Sequence, residues 1–540
     1  MAKGEREKAI AGAELARART GLAAARGRRR LDLLLEARDP GALVRALPAD
    51  ELYFTIRDIG LADAHELVRL ASPRQFQAFL DLDAWSLDRF DPARALAWFR
   101  AARAGPLADP GAAARWARKL AALDAEVLYL VLRSSVHVHD LGEDPDPVIQ
   151  SDRFLRTPEG KFVVEFTVEG AEYAAVKGMV DDLVAEDPFQ ATRLLSALRW
   201  EMPSELEESA LRWRTGRLAD LGFPPLEEAL SWFARPPPGP ALPPGRPERP
   251  PGFFLAEFRG GSLLDRAAAR LDPDDRETVE VQVLAAANAV IVADGLDPGD
   301  LEALRARIEG ARATIERGLE RLAGPDEEAA ARVLAGTPVK RIFQEGFGRV
   351  LELSWRAGRI FEEGGAGSRE APLLDPPLGE AMAALSSRRP RYFPGLAMPR
   401  AEWGTPASAA HEPRSFLSSA EVAQAAEALD LCEGLAALAR RLGVAPARTE
   451  GPLPPRLSAC YLTALANERL GQPFAPEPIP AAALPEVLRR LEPLEDFRLA
   501  AEGEPGRLLL ELARRRLGEL APVREGAAVR PEVVTALLLR

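Results

Sequence analysis

The chain has 540 residues, of which 47% are hydrophobic and 28% charged, a globular composition that excludes general disorder. Because this length exceeds what one hydrophobic core supports, we expect several domains. A net charge of −12 at pH 7 argues against non-specific nucleic-acid binding by the body of the protein.

Residues 1–30 differ from the rest of the chain in charge. They hold nine Lys or Arg against three Glu, and we expect a basic, disordered head. Contact with nucleic acid or an anionic membrane surface is expected only here; the alternative is a solvated end without a binding role. The head lacks the apolar core of a secretory signal, and no apolar run approaches the ~20 residues of a membrane span.

Residues 31–233 are predicted to form an N-terminal domain of helical units. Pro73-Arg-Gln75 precedes Trp85 by the same spacing at which Pro188-Phe-Gln190 precedes Trp200. This faint duplication predicts a helical repeat of two stacked units, a kind of fold that offers concave binding surfaces. Chance similarity is the alternative explanation.

An acidic segment follows the first of these motifs. Asp81, Asp83 and Asp88 surround Trp85, which makes these four residues candidates for docking a protein partner. Clustered carboxylates also bind hard cations, but the spacing lacks the glycine and final Glu of an EF-hand loop. The structural alternative is helix capping beside a half-buried tryptophan.

A small antiparallel sheet is predicted near residues 134–168, set into the helical domain. Lys161–Val168 alternates apolar and polar side chains as a strand does, and Phe154-Leu155 begins a partner strand. Residues 134–141 supply a third strand.

Histidines cluster on that third strand. His137 and His139 are two residues apart, so they share one strand face, and Asp140 follows them. They are the only clustered histidines, and a third ligand from elsewhere would be needed for a metal. We therefore assign no metal, and the alternative is two histidines that face solvent.

Arg212, Arg214 and Arg217 are the best candidates for an anion site. Guanidinium groups match phosphate and carboxylate geometry, and the adjacent Trp213 suits a planar ligand. The alternative is a helix end, where cationic side chains favourably meet the negative pole of the helix.

A second region is predicted beyond a proline-rich connector. Residues 234–252 include nine prolines, which favour an extended linker. Apolar residues at spacings of three and four in 301–322 and 343–361 predict a helical bundle for 253–540. A further boundary is expected at 364–377. The predicted fold class is mainly α, with two helical regions joined by this linker.

No motif of a known catalytic or nucleotide-binding site is present. The sequence contains no GxxxxGK[ST], HExxH or GxSxG motif and no GxGxxG after a strand, so no catalytic residue and no cofactor are assigned. Cys432 and Cys460 lie far apart, which argues against disulfides and favours a cytoplasmic location. An enzyme whose site assembles only on folding stays open.

The chain resembles an uncharacterised bacterial family, a domain of unknown function found in long, mostly helical cytoplasmic proteins. The stretches that carry the resemblance are Leu31–Glu36 through Asp81–Trp85, Arg212–Gly222, Phe343–Phe347, Arg389–Pro394 and Leu462–Asn467. Together they span most of the chain beyond the basic head. The resemblance implies no reaction, ligand or partner.

The functional hypothesis from the sequence is a helical scaffold or adaptor that binds another protein through its N-terminal units. The alternative hypothesis is a regulatory protein or an enzyme that binds an anionic small molecule through the three arginines. The sequence leaves the oligomeric state open.

Overall fold

The fold is mainly α-helical, as the sequence predicts, and contains two small antiparallel sheets, of which the sequence predicts one. The computed structural model describes residues 22, 25, 27–86, 88–103, 110–235, 261–295, 300–363, 374–443, 455–521 and 534–540. All but residues 234–235 of the predicted linker and most of the predicted head therefore lie outside the described residues, as does most of the 364–377 boundary. Across the described ranges, no helix combines the length and hydropathy that crossing a membrane demands.

The chain divides into two compact units. The first contains the described residues within 1–233 and 242–311 together with 334–340, and the second contains 234–235, 312–333 and the described residues from 341 onwards. Three helices contribute residues to both units: α15 Leu301–Ala323, α16 Glu327–Gly336 and α17 Val339–Glu363.

The helices confined to the first unit are α1 Gly27–Leu35, α2 Pro40–Ala46, α3 Ala49–Ile59, α4 His65–Leu70, α5 Pro73–Asp83, α6 Pro92–Arg103, α7 Pro110–Ala121, α8 Ala125–Arg133, α9 Gly170–Glu186, α10 Pro188–Trp200, α11 Pro203–Asp220, α12 Leu226–Ser231, α13 Leu263–Ala269 and α14 Pro273–Asp294. Helix α1 begins inside the predicted head. Its Arg30 is buried and donates to Glu51 at 2.6 Å, which explains why residues 27–30 are ordered as helix.

The duplicated Pro-x-Gln motif marks two helix starts. Pro73 opens α5, where the Ser72 hydroxyl accepts from the backbone N–H of Gln75 and the Gln75 side chain accepts from the N–H of Ser72. Pro188 opens α10, and there Asp187 is the capping residue. Proline suits the first turn of a helix because its missing N–H would have no partner there.

The three-stranded sheet confirms the predicted insert. Strands β3 Val136–Asp140, β4 Phe154–Arg156 and β5 Phe162–Phe166 pair antiparallel in the order β3-β5-β4. Because β5 is the central strand, all of its residues are buried. A hairpin of two short strands, β1 Trp85–Ser86 and β2 Arg89–Phe90, follows α5, and the sequence analysis does not predict it.

Aromatic side chains fill the centre of the first unit. The Trp98 ring lies 5.8 Å from Tyr53 and 5.0 Å from Phe79, and the Phe76 ring meets Trp116 edge-on at 6.3 Å. All five belong to one buried core, which joins α3, α5, α6 and α7. These rings supply a large share of the buried apolar area that stabilises the unit.

The second unit adds short 3₁₀ turns and seven further helices among its described residues. Their bounds are α18 Leu378–Leu385, α19 Pro406–Ala409, α20 Ser419–Arg441, α21 Leu457–Arg469, α22 Leu484–Leu491, α23 Phe497–Ala501 and α24 Gly503–Glu519. The prediction that this part of the chain is mainly α-helical is thus confirmed.

Helices α15 and α17 cross at a glycine contact inside the second unit. A Cβ added at Gly346 would lie 2.0 Å from the carbonyl oxygen of Thr314, and one added at Gly318 would lie 1.9 Å from that of Ile342. Both obstacles are backbone atoms, so no side-chain rotation relieves the clash. Only glycine permits this approach.

We expect Gly346→Ala to destabilise the second unit by an amount at the upper end of the ~1–3 kcal/mol typical of overpacking, because the two helices must separate. Thermal unfolding followed by circular dichroism measures the shift. The matched control is Gly348→Ala on the same helix, where nothing lies within 4 Å of the added Cβ. That control should be neutral or stabilising by up to about 1 kcal/mol. Equal melting temperatures for the two variants would contradict the contact.

Candidate functional site

The acidic segment and the arginine motif of the sequence meet at the C-terminal end of α5. The Asp81 carboxylate is fully buried and accepts two hydrogen bonds from Arg217 on α11, from Nε at 2.6 Å and from Nη2 at 2.9 Å. Nη1 of Arg217 donates to Asp124, before α8. Asp81 and Arg217, which the sequence assigns to two different candidate sites, therefore bind each other although they are 136 positions apart.

Arg214 belongs to the same cluster. Its Nε donates to the backbone carbonyl of Asp81 at 2.8 Å, and its guanidinium lies 5.1 Å from the centroid of the Trp85 ring. Burial lowers the pKa of Arg214 to about 10, so the side chain is still charged at neutral pH. A cation at this place faces the negative pole of α5 and the face of an indole, which are two favourable environments.

Asp83 ties this cluster to the aromatic core. It is buried, and its carboxylate accepts from the Tyr53 hydroxyl at 2.9 Å and from the Trp98 indole Nε1 at 2.6 Å. Arg57 approaches the same carboxylate at 3.5 Å. Both carboxylate oxygens of Asp83 thus have hydrogen-bond donors inside the fold. We call Asp81, Asp83, Trp85, Arg214 and Arg217 the α5 terminal cluster.

The ion pair of Asp81 and Arg217 lies at the centre of the cluster. Burial and the attraction between the two charges have opposite effects on the pKa of each group. Burial raises the pKa of Asp81 above its ordinary value, although the hydrogen bonds from Arg217 oppose that rise. Burial also lowers the pKa of Arg217. The hydrogen bonds and charges of Asp81 and Asp124 have the larger effect together, so the pKa of Arg217 is raised. We therefore assign Arg217 as permanently charged, which makes the ionised form of Asp81 its natural partner.

The remaining members of the two predicted sets lie at the surface. Asp88 is exposed in the hairpin, and Arg212 is exposed on α11 with its guanidinium 5.9 Å from the Trp213 ring. Asp81, Asp83 and Trp85 are buried, so only Asp88 of the predicted docking residues faces solvent. The burial of the other three follows from the fold of α5, whose last turn packs into the core.

The histidine pair contacts a glutamate that the sequence did not suggest. The His137 and His139 rings are 4.7 Å apart, and His139 Nε2 lies 3.1 Å from Glu165 Oε2. Glu165 stands opposite His137 in the β3–β5 register, a pairing that requires the strand alignment. Asp140 instead accepts from the N–H of Gly142 in the following turn. The described ranges contain no group of three or more such side chains arranged to hold a metal ion.

Exposed apolar side chains of the first unit concentrate in one segment of its sequence. Ten large hydrophobic side chains are exposed among the described residues, and seven lie between positions 148 and 226: Val148, Phe154, Phe189, Trp200, Met202, Trp213 and Leu226. Two of the most prominent are the aromatic residues near the ends of α10. Phe189 is 75% exposed and Trp200 is 54% exposed.

One face of α10 carries a regular stripe. Phe189, Arg193, Ser196 and Trp200 follow at spacings of four, three and four, which places them on the same side of the helix. The opposite side, with Ala191, Leu194 and Leu195, is buried in the unit. We call the four residues the α10 stripe.

Trp200 is held in position although half of it faces solvent. The guanidinium of Arg199 lies 4.9 Å from the centroid of its ring, and Arg199 Nη2 donates to Glu143 Oε2 at 3.2 Å. Glu143 follows strand β3, so the sheet supports this end of the stripe. An aromatic side chain fixed before binding loses less conformational entropy when a partner arrives.

A second buried polar network lies in the second unit, and the sequence analysis does not predict it. Asp375 accepts from the backbone N–H of Ser458 at 2.9 Å, from its hydroxyl at 2.5 Å and from Arg516 Nε at 3.1 Å. Nη1 of Arg516 also donates to the carbonyl of Thr535. These residues are distant in sequence, and no local pattern marks them. The network joins α21 and α24 to the last described segment of the chain.

We expect Asp81→Asn to destabilise the first unit because Arg217 and Arg214 lose their buried anion. Loss of one partner of a fully buried pair costs about 3–5 kcal/mol. The cost here should be smaller, since the Arg217 side chain is 27% exposed and keeps Asp124. Asp88→Asn is the matched control and should change stability by less than about 0.5 kcal/mol. Thermal unfolding that ranks the two variants equally would contradict the buried pair.

Comparison with known proteins gives a family and no function. No curated protein and no solved structure matches this chain. The model of a family of unknown function (DUF6178) matches residues 7–514. The match covers the α5 terminal cluster and most of both compact units. The chain belongs to this family.

Proposed function

We propose that this protein is a cytoplasmic helical scaffold that binds a protein partner through the first unit, with the α10 stripe at the centre of the docking surface. The observation that carries the proposal is the concentration of exposed apolar side chains between positions 148 and 226. Exposed apolar side chains that share a surface commonly mark a binding site, and Phe189 and Trp200 lie on one face of α10. The free, buried thiols of Cys432 and Cys460 fit a reducing compartment.

The chemistry of the stripe supports binding to protein. Aromatic residues and arginine are the residue types that most often dominate the free energy of protein–protein interfaces. The stripe provides two aromatic residues that are eleven positions apart, which is about 16 Å along the helix axis. Arg193 lies between these rings and is exposed.

The α5 terminal cluster has a supporting role in this proposal. Arg214 and Arg217 fasten α11 to the end of α5, and α11 follows α10 directly in the chain. The cluster therefore helps to fix the helix pair that carries Trp200, Met202 and Trp213. Its buried members make no contact with the partner.

We expect affinity capture with the tagged full-length chain to recover a specific protein from the source cells. The double variant Phe189→Ala with Trp200→Ala should lose that protein, because both anchors are gone. Trp355→Ala is the matched control, since Trp355 is also half exposed, at 51%, but lies in the second unit. The control should recover the partner at the wild-type level. Equal recovery by the double variant and the control would contradict the proposed surface.

A second candidate function is the binding of an anionic small molecule beside Trp85, in a regulatory protein or an enzyme. The indole Nε1 of Trp85 is buried and has no acceptor among the described residues, and the Arg214 guanidinium lies over the same ring. A phosphate or carboxylate oxygen would satisfy this donor next to a cation. We rank this function second because Asp81 and Asp124 already balance the charges of Arg214 and Arg217.

For the second candidate we expect inorganic phosphate or a nucleotide to raise the melting temperature of the full chain. Trp85→Phe keeps the ring and removes only the donor, so the shift should shrink. Trp213→Phe changes an exposed ring on α11 and should leave the shift intact. The anion hypothesis fails if saturating ligand gives no shift, or if Trp85→Phe responds as the wild type does.

A further inference from the structure

We propose that the first unit binds a compact polyphosphate, such as the di- or triphosphate group of a nucleotide, at a group of cations around the buried Lys119 of α7. Four arginines complete the group: Arg45 on α2, Arg69 on α4, and Arg115 and Arg118 on α7. We call these five residues the Lys119 cluster. It shares no residue with the α10 stripe or the α5 terminal cluster, so its test is independent of both candidate functions.

Lys119 is buried without an anionic partner. Its side chain is 2% exposed, and Nζ donates to the backbone carbonyl of Arg69 at 2.6 Å. An ammonium group has three hydrogens, and the described residues offer Nζ no second acceptor and no carboxylate. Buried lysines ordinarily have an anionic partner, because an isolated charge is costly to remove from water.

The neighbours of Lys119 add positive charge instead of cancelling it. Burial, together with the positive charges of Arg115, Arg45, Arg118 and Arg69, lowers the pKa of Lys119 to about 8. The four guanidinium groups are therefore close enough to repel the ammonium group. Those of Arg45 and Arg69 make no ion pair or hydrogen bond with any residue that the structure describes.

Helix capping explains only part of this arrangement. The carbonyl of Arg69 lies in the last turn of α4, where one cation is favourable. Lys119 meets that requirement alone, so capping gives no reason for the guanidinium groups of Arg45 and Arg69 nearby. A bound anion would supply the missing acceptors and offset the repulsion among the five charges.

The charge and exposure of the cluster favour a polyphosphate over other anions. A phosphate monoester carries roughly −1.5 to −2 at pH 7, more than one carboxylate, and linked phosphates carry more still. Guanidinium groups also match phosphate oxygens with paired hydrogen bonds. Arg45 and Arg118 are exposed whereas Lys119 is buried, so the ligand would meet the arginines at the surface and the ammonium group beneath them. The net charge of −12 disfavours a long nucleic acid as the ligand.

Isothermal titration calorimetry of the full chain with pyrophosphate, at physiological ionic strength, tests the proposal. Binding should be saturable, and tripolyphosphate should bind more tightly than inorganic phosphate. Arg45→Gln with Arg69→Gln should weaken pyrophosphate binding by about tenfold or more, because charge-assisted hydrogen bonds are lost. Both side chains are at least partly exposed, so this double variant should fold as the wild type does.

Two control variants locate the binding. Arg156 is exposed on β4, outside the cluster, and Arg156→Gln should bind pyrophosphate as the wild type does. Trp85→Phe removes the donor of the other candidate anion site. It should keep the binding that the double arginine variant loses.

Lys119→Met tests the buried charge itself, since methionine keeps an unbranched side chain and removes the ammonium group. Pyrophosphate should raise the melting temperature of the wild type and of Arg156→Gln, and the rise should be absent in Lys119→Met. If Lys119→Met does not fold, the double arginine variant provides the same comparison of melting temperatures.

Three results would overturn the proposal. The first is the absence of saturable binding at physiological ionic strength, which would reduce the cluster to a diffuse attraction for anions. The second is equal affinity of the double arginine variant and the wild type. The third is a loss of binding in Trp85→Phe alone, which would assign the ligand to the other candidate anion site.

Discussion

Asp81 is a carboxylate at the end of a buried helix, and the first unit cannot hold it there without a matching cation. Arg217 supplies that cation with two hydrogen bonds, and Asp124 shares the guanidinium. A buried ion pair contributes little net stability compared with a well-packed apolar pair, but loss of one partner leaves an uncompensated charge. The pair therefore acts mainly as a constraint, since α11 must lie where its arginines reach the end of α5.

That constraint explains why residues that look like a binding site in the sequence are internal in the fold. Asp83 presents no charge at the surface, because its buried carboxylate accepts hydrogen bonds from Tyr53 and Trp98 in the aromatic core. The guanidinium of Arg214 lies over the Trp85 ring. With these groups engaged inside, the side chains that we propose for partner binding are the exposed apolar ones on α10 and near it.

The sequence was sufficient to predict the helical class and the three-stranded insert, because periodicities depend on near neighbours. It was not sufficient for contacts between distant positions, such as Asp81 with Arg217 or His139 with Glu165. The two tryptophans of the apparent duplication show the limit most clearly. Trp85 and Trp200 follow their Pro-x-Gln motifs at the same spacing, yet Trp85 is 3% exposed and Trp200 is 54% exposed. The packing around each helix end decides how much of each tryptophan is exposed, and a local motif does not encode that packing. The helical repeat therefore stays a prediction.

The central claim is that the acidic tryptophan segment is internal and that the α10 stripe is open to a partner. Hydroxyl-radical footprinting of the full chain at high dilution, read by mass spectrometry, tests this claim most directly. The account expects rapid oxidation of Trp200 and Phe189 and strong protection of Trp85 under the same exposure. Oxidation of Trp85 as fast as that of Trp200 would contradict it, since the α5 terminal cluster would then be an accessible surface.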